Sequence, residues 1–365
     1  VSILLMTILL LLTGGCGHKY HLSDEYVAQG SAEGLQGAGF DGRLDVIWES
    51  DFNGKPSGPL SIHKGVLAIP SAKRRIEFRA TATGENLGRV KTKGIVHTDL
   101  LYYDSLMIFG VEPPRGRVVC WDLKRHKEVW RFQVRDVVGI AALSQDQVLV
   151  ADRSGRLTVL NIVTGEIVWS LDLESRISAR PFIHKGTPLI GGDDGRVHAI
   201  DLDSASVLWR SPSLGSPIIA LSQSTVAKVA IAVTSEGILR GISWFGGGLG
   251  HGLTNLSEGR WSTPVVLWGS GVILTSSHGE VLSQSGMETL WRYDTEQAIR
   301  AAPTVVDGIV IVATLRGKVI SLNGANGEMI AQRAFGSAIR QSPVTDGMHV
   351  FVATHSGAIV CLGAR

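Results

Sequence analysis

The chain has 365 residues, enough for one large domain or two ordinary ones. Only 19% are charged, while 44 are Gly and nine are Trp, a balance that suits short strands joined by tight turns. The formal net charge of +2 gives no reason to expect a nucleic-acid surface or a strongly acidic substrate.

Residues Val1 to Leu12 are almost wholly apolar, a run too short to span a bilayer comfortably. They lead into Thr13-Gly14-Gly15-Cys16, which reads as the hydrophobic region of a signal peptide followed by small residues and a cysteine. The arrangement resembles a bacterial lipoprotein signal, in which the cysteine is acylated and becomes the new N-terminus. Thr13 stands where such signals usually carry Leu, and no Lys or Arg precedes the apolar run. A plain secretory signal and a buried helix are the alternatives. Lipidation of Cys16 accounts for an odd cysteine count, the others being Cys120 and Cys361. The same resemblance implies, from Gly17 in place of Asp, export to the periplasmic face of the outer membrane. Residues 17–42 lack a steady period and are rich in Gly, Ser and Ala, so a flexible tether is expected there.

From residue 43 onward the chain repeats. The unit is clearest in Gly155-Arg156-Leu157-Thr158-Val159-Leu160-Asn161, which continues through Thr164-Gly165-Glu166 to Trp169. Equivalent glycines lie at Gly116, Gly195, Gly237, Gly279, Gly317 and Gly357, and an eighth unit begins at Arg74 without the glycine. The spacings are 42, 39, 40, 42, 42, 38 and 40 residues. Two residues past each anchor the side chain is aliphatic, as an inward strand position requires. Four past it is usually small, as at Cys120, Ala199, Ser321 and Cys361. Trp130, Trp169 and Trp209 stand fourteen past their anchors, and Trp291 twelve, where a flat ring can fill the wedge between radiating sheets. Upstream, Pro59, Pro181, Pro264, Pro303 and Pro343 each start an apolar strand, where a missing N–H costs least. Lys64-Gly65, Asp307-Gly308 and Asp346-Gly347 mark the hairpin that follows.

Four strands per unit at this period predict an all-β fold, an eight-bladed β-propeller of four-stranded antiparallel blades. The last unit ends after its third strand, while residues 44–52 around Trp48 read as an orphan fourth strand. That N-terminal strand is expected to complete the last blade by pairing with residues 357–362 and so close the ring. Three segments follow: 1–16 as signal, 17–42 as tether and 43–365 as propeller. On this register Cys120 and Cys361 lie two blades apart, roughly 20 Å at the spacing of packed sheets. That exceeds the ~7 Å reach of a disulfide, and both are expected as buried free thiols.

The motif Gly-x-Leu-x-x-Leu-Asn-x-x-Thr-Gly-Glu-x-x-Trp after a Pro strand resembles the repeat of pyrroloquinoline-quinone-type propellers over residues 43–365. Eight units, the lipoprotein-like start, the closing strand and Gly191-Gly192-Asp193-Asp194-Gly195 resemble the BamB-like family of outer-membrane assembly lipoproteins. The resemblance implies a non-enzymatic scaffold whose partner is the outer-membrane barrel-assembly protein. It places Leu173 and Arg176 at partner-gripping positions; Ser175 replaces a Leu, and the acidic residues of the family's next loop have no match in Ser213-Leu214-Gly215-Ser216. A monomer held to the membrane by its lipid is expected, with no nucleic acid, cofactor or metal. From the residues themselves, Arg176, Arg180, Arg260, Arg300 and Arg340 precede the Pro strands. Arg300 and Arg340 stand at one repeated place, suited to a protein-binding surface if not merely solvated.

Two other functions fit a propeller. A quinone-dependent dehydrogenase needs a convergent set of acidic, amide, Trp and Arg ligands, which does not stand out here. A cell-surface polymer binder needs repeated exposed aromatics, and Trp261 and Trp268 occur in one unit only. Gly246-Gly247-Gly248-Leu249-Gly250-His251-Gly252 lacks the strand-then-helix setting of a phosphate loop and reads as a lengthened hairpin. Asp193-Asp194-Gly195 lacks the spaced oxygens of a calcium loop and reads as a type I′ turn.

Overall fold

The computed structural model describes residues 39–52, 54–114, 116–224, 229–249, 266–268, 271–285 and 288–365. All regular elements among them are strands, grouped in eight antiparallel sheets. In chain order the blades span 61–91, 101–133, 137–172, 182–210, 218–243, 266–294, 304–334 and 344–363. They are numbered 1 to 8 here. Blade 5 shows three strands among the described residues, and seven blades show four. Pro59, Pro181, Pro303 and Pro343 lie just before the first strands Ser61–His63, Phe182–His184, Thr304–Val306 and Val344–Thr345. Pro264, Arg260 and Trp261 lie outside the described residues, as do Cys16 and the segment 17–38.

The ring closes as the orphan strand requires. Asp45–Asp51 pairs antiparallel with Ala358–Gly363, and Trp48 lies opposite Cys361. The body of the ring begins earlier than residue 43, however. The Phe40 amide donates to Asp307 at 3.0 Å, and the Phe40 side chain is buried with Leu44, Val306 and Ile309. Phe40 is a single apolar residue among glycines, too little signal to mark a boundary by composition.

Neighbouring blades are locked by one repeated device. Across the sheet from Trp130, Trp209 and Trp291 stands the small residue four past the anchor, Cys120, Ala199 and Ser283 in turn, whereas Trp169 faces Val159. Three indoles hydrogen-bond to the following blade. Trp130 Nε1 donates to the Ile162 carbonyl at 2.7 Å, Trp291 to Gly324 at 2.8 Å and Trp48 to Thr81 at 2.8 Å. Gly165, Gly327 and Gly84 lie flat against those rings, so close that a Cβ would fall 2.5 to 2.7 Å from ring carbons. The Thr-Gly turn of the repeat is thus the seat for the preceding blade's tryptophan. Cys120 and Cys361 are buried free thiols, and burial pushes both up to about 12, beyond the range in which a thiolate forms at neutral pH.

Three turns differ in their local geometry. Lys64-Gly65 and Asp307-Gly308 have positive φ at both residues, 45° and 73°, 47° and 80°, as a type I′ hairpin demands. At Asp193-Asp194-Gly195 only Gly195 is left-handed, at φ 73°. Its amide bonds back to the Gly192 carbonyl, so the tip is a type I turn followed by a left-handed glycine and not type I′. Gly192 closes the hairpin by bonding to Arg196, leaving three residues in the loop instead of two.

Candidate functional site

Strands in each blade run from the ring centre outward. The turns from second to third strand and the connections between blades therefore gather on one face, called here the connection face. The anchor residues of the repeat sit on it. Where a buried Ile bridges to the second strand of its own blade, the neighbouring side chains stand out into solvent. The pairs are Ile177 with Gly192, Ile299 with Thr314 and Ile339 with Thr354. Arg300 and Arg340 follow their isoleucines directly and are exposed. Arg176 is exposed on the other side of Ile177, and its guanidinium lies 3.7 Å from the Asp193 carboxylate. The Asp193 amide in turn donates to the Arg176 carbonyl at 2.8 Å, so the hairpin tip of blade 4 holds this connection.

Leu173 is placed otherwise than the family comparison of sequences suggests. It is 2% exposed and packs with Leu157, Val159, Ile177, Ile190 and Ile200 between blades 3 and 4. Its amide donates to the Gly155 carbonyl at 3.0 Å. A side chain so enclosed fills the core and not a partner's pocket; of the Leu173 and Arg176 pair, only the arginine is presented to solvent.

Nearer the channel mouth, Arg180 of blade 4 reaches Asp99 of blade 2 with both carboxylate oxygens 2.7 Å from one guanidinium nitrogen. It passes over blade 3 at Gly139, where a Cβ would lie 3.3 Å from the Arg180 side chain. Both partners are partly exposed, so the pair positions the loop more than it stabilises the ring. Among the described residues no group of three or more His, Cys, Asp or Glu is arranged to hold a metal ion.

The face also carries a feature that the repeat pattern does not announce. Lys73, Arg74, Arg75, Arg89, Lys91 and Lys93 line one concavity of about 280 Å³ on the rim of blade 1. Register puts them together: Arg75 pairs with Lys91 and Glu77 with Arg89, while Ile76, Phe78 and Val90 fill the opposite, core side. Beneath the rim, buried Glu77 takes Arg75 at 2.6 Å and Arg79 at 3.1 Å. Arg79 also donates to the Asp51 carbonyl at 3.1 Å, tying blade 1 to the closing strand. The sequence signal for this rim is the loss of the anchor glycine within Lys73-Arg74-Arg75, together with cations at every second residue from Arg89 to Lys93.

A profile of the family described as outer membrane protein assembly factor BamB matches residues 114–281 and 277–364. BamB of Yersinia pestis is 22% identical over 340 residues, covering 86% of this chain and 76% of that protein. BamB of Escherichia coli (strain K12) is 23% identical over 250 residues, covering 60% of this chain and 62% of that protein, less than two thirds of its length. Among solved structures, BamB from Moraxella catarrhalis superposes with a TM-score of 0.71 at 18% identity, over 88% of this chain and 100% of that chain. Saccharomyces cerevisiae Sqt1 superposes at 0.75 with 12% identity, over 88% and 100%. Structural likeness at such identities carries the propeller fold alone.

Proposed function

Because the chain belongs to the outer membrane protein assembly factor BamB family, we propose that it is a non-enzymatic, lipid-anchored scaffold that binds a protein partner in outer-membrane protein assembly. The observation that supports this reading best is the connection face itself. Arg176, Arg300 and Arg340 stand exposed there beside isoleucines 0 to 1% exposed, so charged, hydrogen-bonding groups are mounted on a rigid frame. Arginine at such a place can take a partner's carboxylate with two parallel hydrogen bonds. The partner proposed is the outer-membrane barrel-assembly protein, met by a monomer of this chain at the periplasmic face of the membrane.

Capture of that barrel-assembly protein by the full chain is the test. The Arg176→Ala/Arg300→Ala/Arg340→Ala variant should fold normally and capture at least about tenfold less, which needs only about 1.4 kcal/mol from the three arginines together. Equal capture by the variant would place the contact elsewhere, and no capture by the wild type would end the assembly reading. Leu173→Ala is unsuited to the test, because a cavity left by a buried Leu costs about 2 to 5 kcal/mol and perturbs the loop indirectly.

Anchoring is tested separately. Segment 1–16 is proposed as the signal that ends at the acylated Cys16, with a tether following. Cys16→Ser should move the protein from the membrane fraction to the soluble periplasmic fraction, because a bilayer anchor then has no acyl chains. Retention in the membrane fraction would show that residues 1–16 act in another way.

A further inference from the structure

The cationic rim of blade 1 does not stop at blade 1. The Ala72 amide donates to the Lys55 carbonyl at 2.9 Å, and the Lys73 chain lies 3.7 Å from where a Cβ of Gly54 would stand. Lys55 is exposed beside them. In blade 8, the His355 amide bonds to the Ala338 carbonyl at 2.7 Å. Burial first, then the positive charges of Arg340 and Lys55, hold His355 below its ordinary range. One line of cations therefore runs along the connection face from Arg340, past His355, to Lys55 and the rim of blade 1. At the rim Glu77 pairs with Arg75 and Glu128 with Lys93.

Arg74 is left-handed at φ 57°, the place held by left-handed glycines such as Gly195 and Gly317 in other blades. Glycine would serve that turn with less strain, although nine other non-glycine residues among those described also have positive φ.

We propose that this arc is the docking site for an acidic segment, a run of Asp and Glu side chains, on a protein partner. The inference rests on the protein-binding reading above only in taking the partner to be a protein. Two observations favour an acidic protein segment over an anionic bilayer. The arc is continuous with Arg340, already on the proposed binding face. Its part in blade 1 is concave, with guanidinium groups that match carboxylates in pairs.

The test uses the full chain and a fluorescent ten-residue poly-glutamate peptide. Wild type should bind it, and binding should weaken about tenfold between roughly 50 and 300 mM salt, as screening of exposed charges requires. Lys73→Glu/Arg74→Glu/Lys91→Glu should bind at least about tenfold more weakly, each reversed charge adding repulsion to the lost attraction. Reversal of Lys185, in the first hairpin of blade 4 on the opposite face, should leave binding within about twofold. Arg74→Gly keeps the fold secure: it should raise the melting temperature and still weaken binding about two- to threefold. Equal binding by the triple variant, or no binding by wild type, overturns the proposal. So does preference for vesicles containing about 30 mol% phosphatidylglycerol over the peptide, which would assign the arc to lipid headgroups. No assembly protein is present in this assay, so loss of capture in the pull-down with peptide binding intact would reject that partner and leave the acidic-segment site standing.

Discussion

Replacing Trp48 with Ala should lower the stability of the ring by about 3 kcal/mol and loosen its seam. The Trp48 side chain reaches both neighbours of the closing strand. It lies opposite Cys361 within blade 8, its ring centre is 5.8 Å from that of Phe351, and its Nε1 donates to Thr81 of blade 1. Removing a large core aromatic costs about 3 to 5 kcal/mol. Trp48 is only partly buried, so the lower end applies. Trp48→Phe should recover most of the packing and lose about 1 kcal/mol with the hydrogen bond. Urea unfolding followed by circular dichroism measures both. Hydrogen exchange adds the location of the damage. In Trp48→Ala the amides of 45–51 and 358–363 should exchange faster, whereas Trp130→Ala should leave them protected, because its indole locks blade 2 to blade 3. A loss below about 1 kcal/mol, or unchanged exchange across the seam, would mean that backbone pairing alone closes the ring.

The seam was legible in the sequence for the same reason that the blades were. Eight copies of one unit average out local exceptions, and a unit missing its fourth strand at one end points to a spare strand at the other. Trp48 could be matched to Trp130 by type and spacing without any knowledge of packing. Features that depend on a neighbouring blade were not legible in this way. Leu173 looks free at the end of a strand, but Ile177, Ile190 and Ile200 of the next blade enclose it. Phe40 docks through Asp307, far along the chain. The basic arc was hidden by averaging: a net charge of +2 is compatible with a strong local excess once acids and bases are segregated. Its cations come from a turn, two strands and three connections, and only the folded ring assembles them.

Gly155→Ala should cost about 3 kcal/mol and reduce partner capture beyond what the loss of folded protein explains. Gly155 is at φ 106°, outside the region that an Ala adopts without strain, and a Cβ there would lie 2.2 Å from the Ser175 carbonyl oxygen. Both terms act together, since unfavourable conformations cost about 1 to 3 kcal/mol and forced overpacking a similar amount. The displaced backbone is the connection that carries Arg176, and Leu173 is hydrogen-bonded to Gly155 itself. Gly186→Ala provides the comparison: it is also left-handed, at φ 84°, but nothing lies within 4 Å of its Cβ position. That variant should lose only about 1 kcal/mol and capture the partner normally. The difference between the two variants therefore isolates the clash with Ser175 from the conformational cost of losing glycine. If folded Gly155→Ala captures as well as Gly186→Ala, the connection of blades 3 and 4 is not part of the binding surface. Arg300 and the arc around Arg340 and blade 1 would then be the parts of the connection face left to hold the partner.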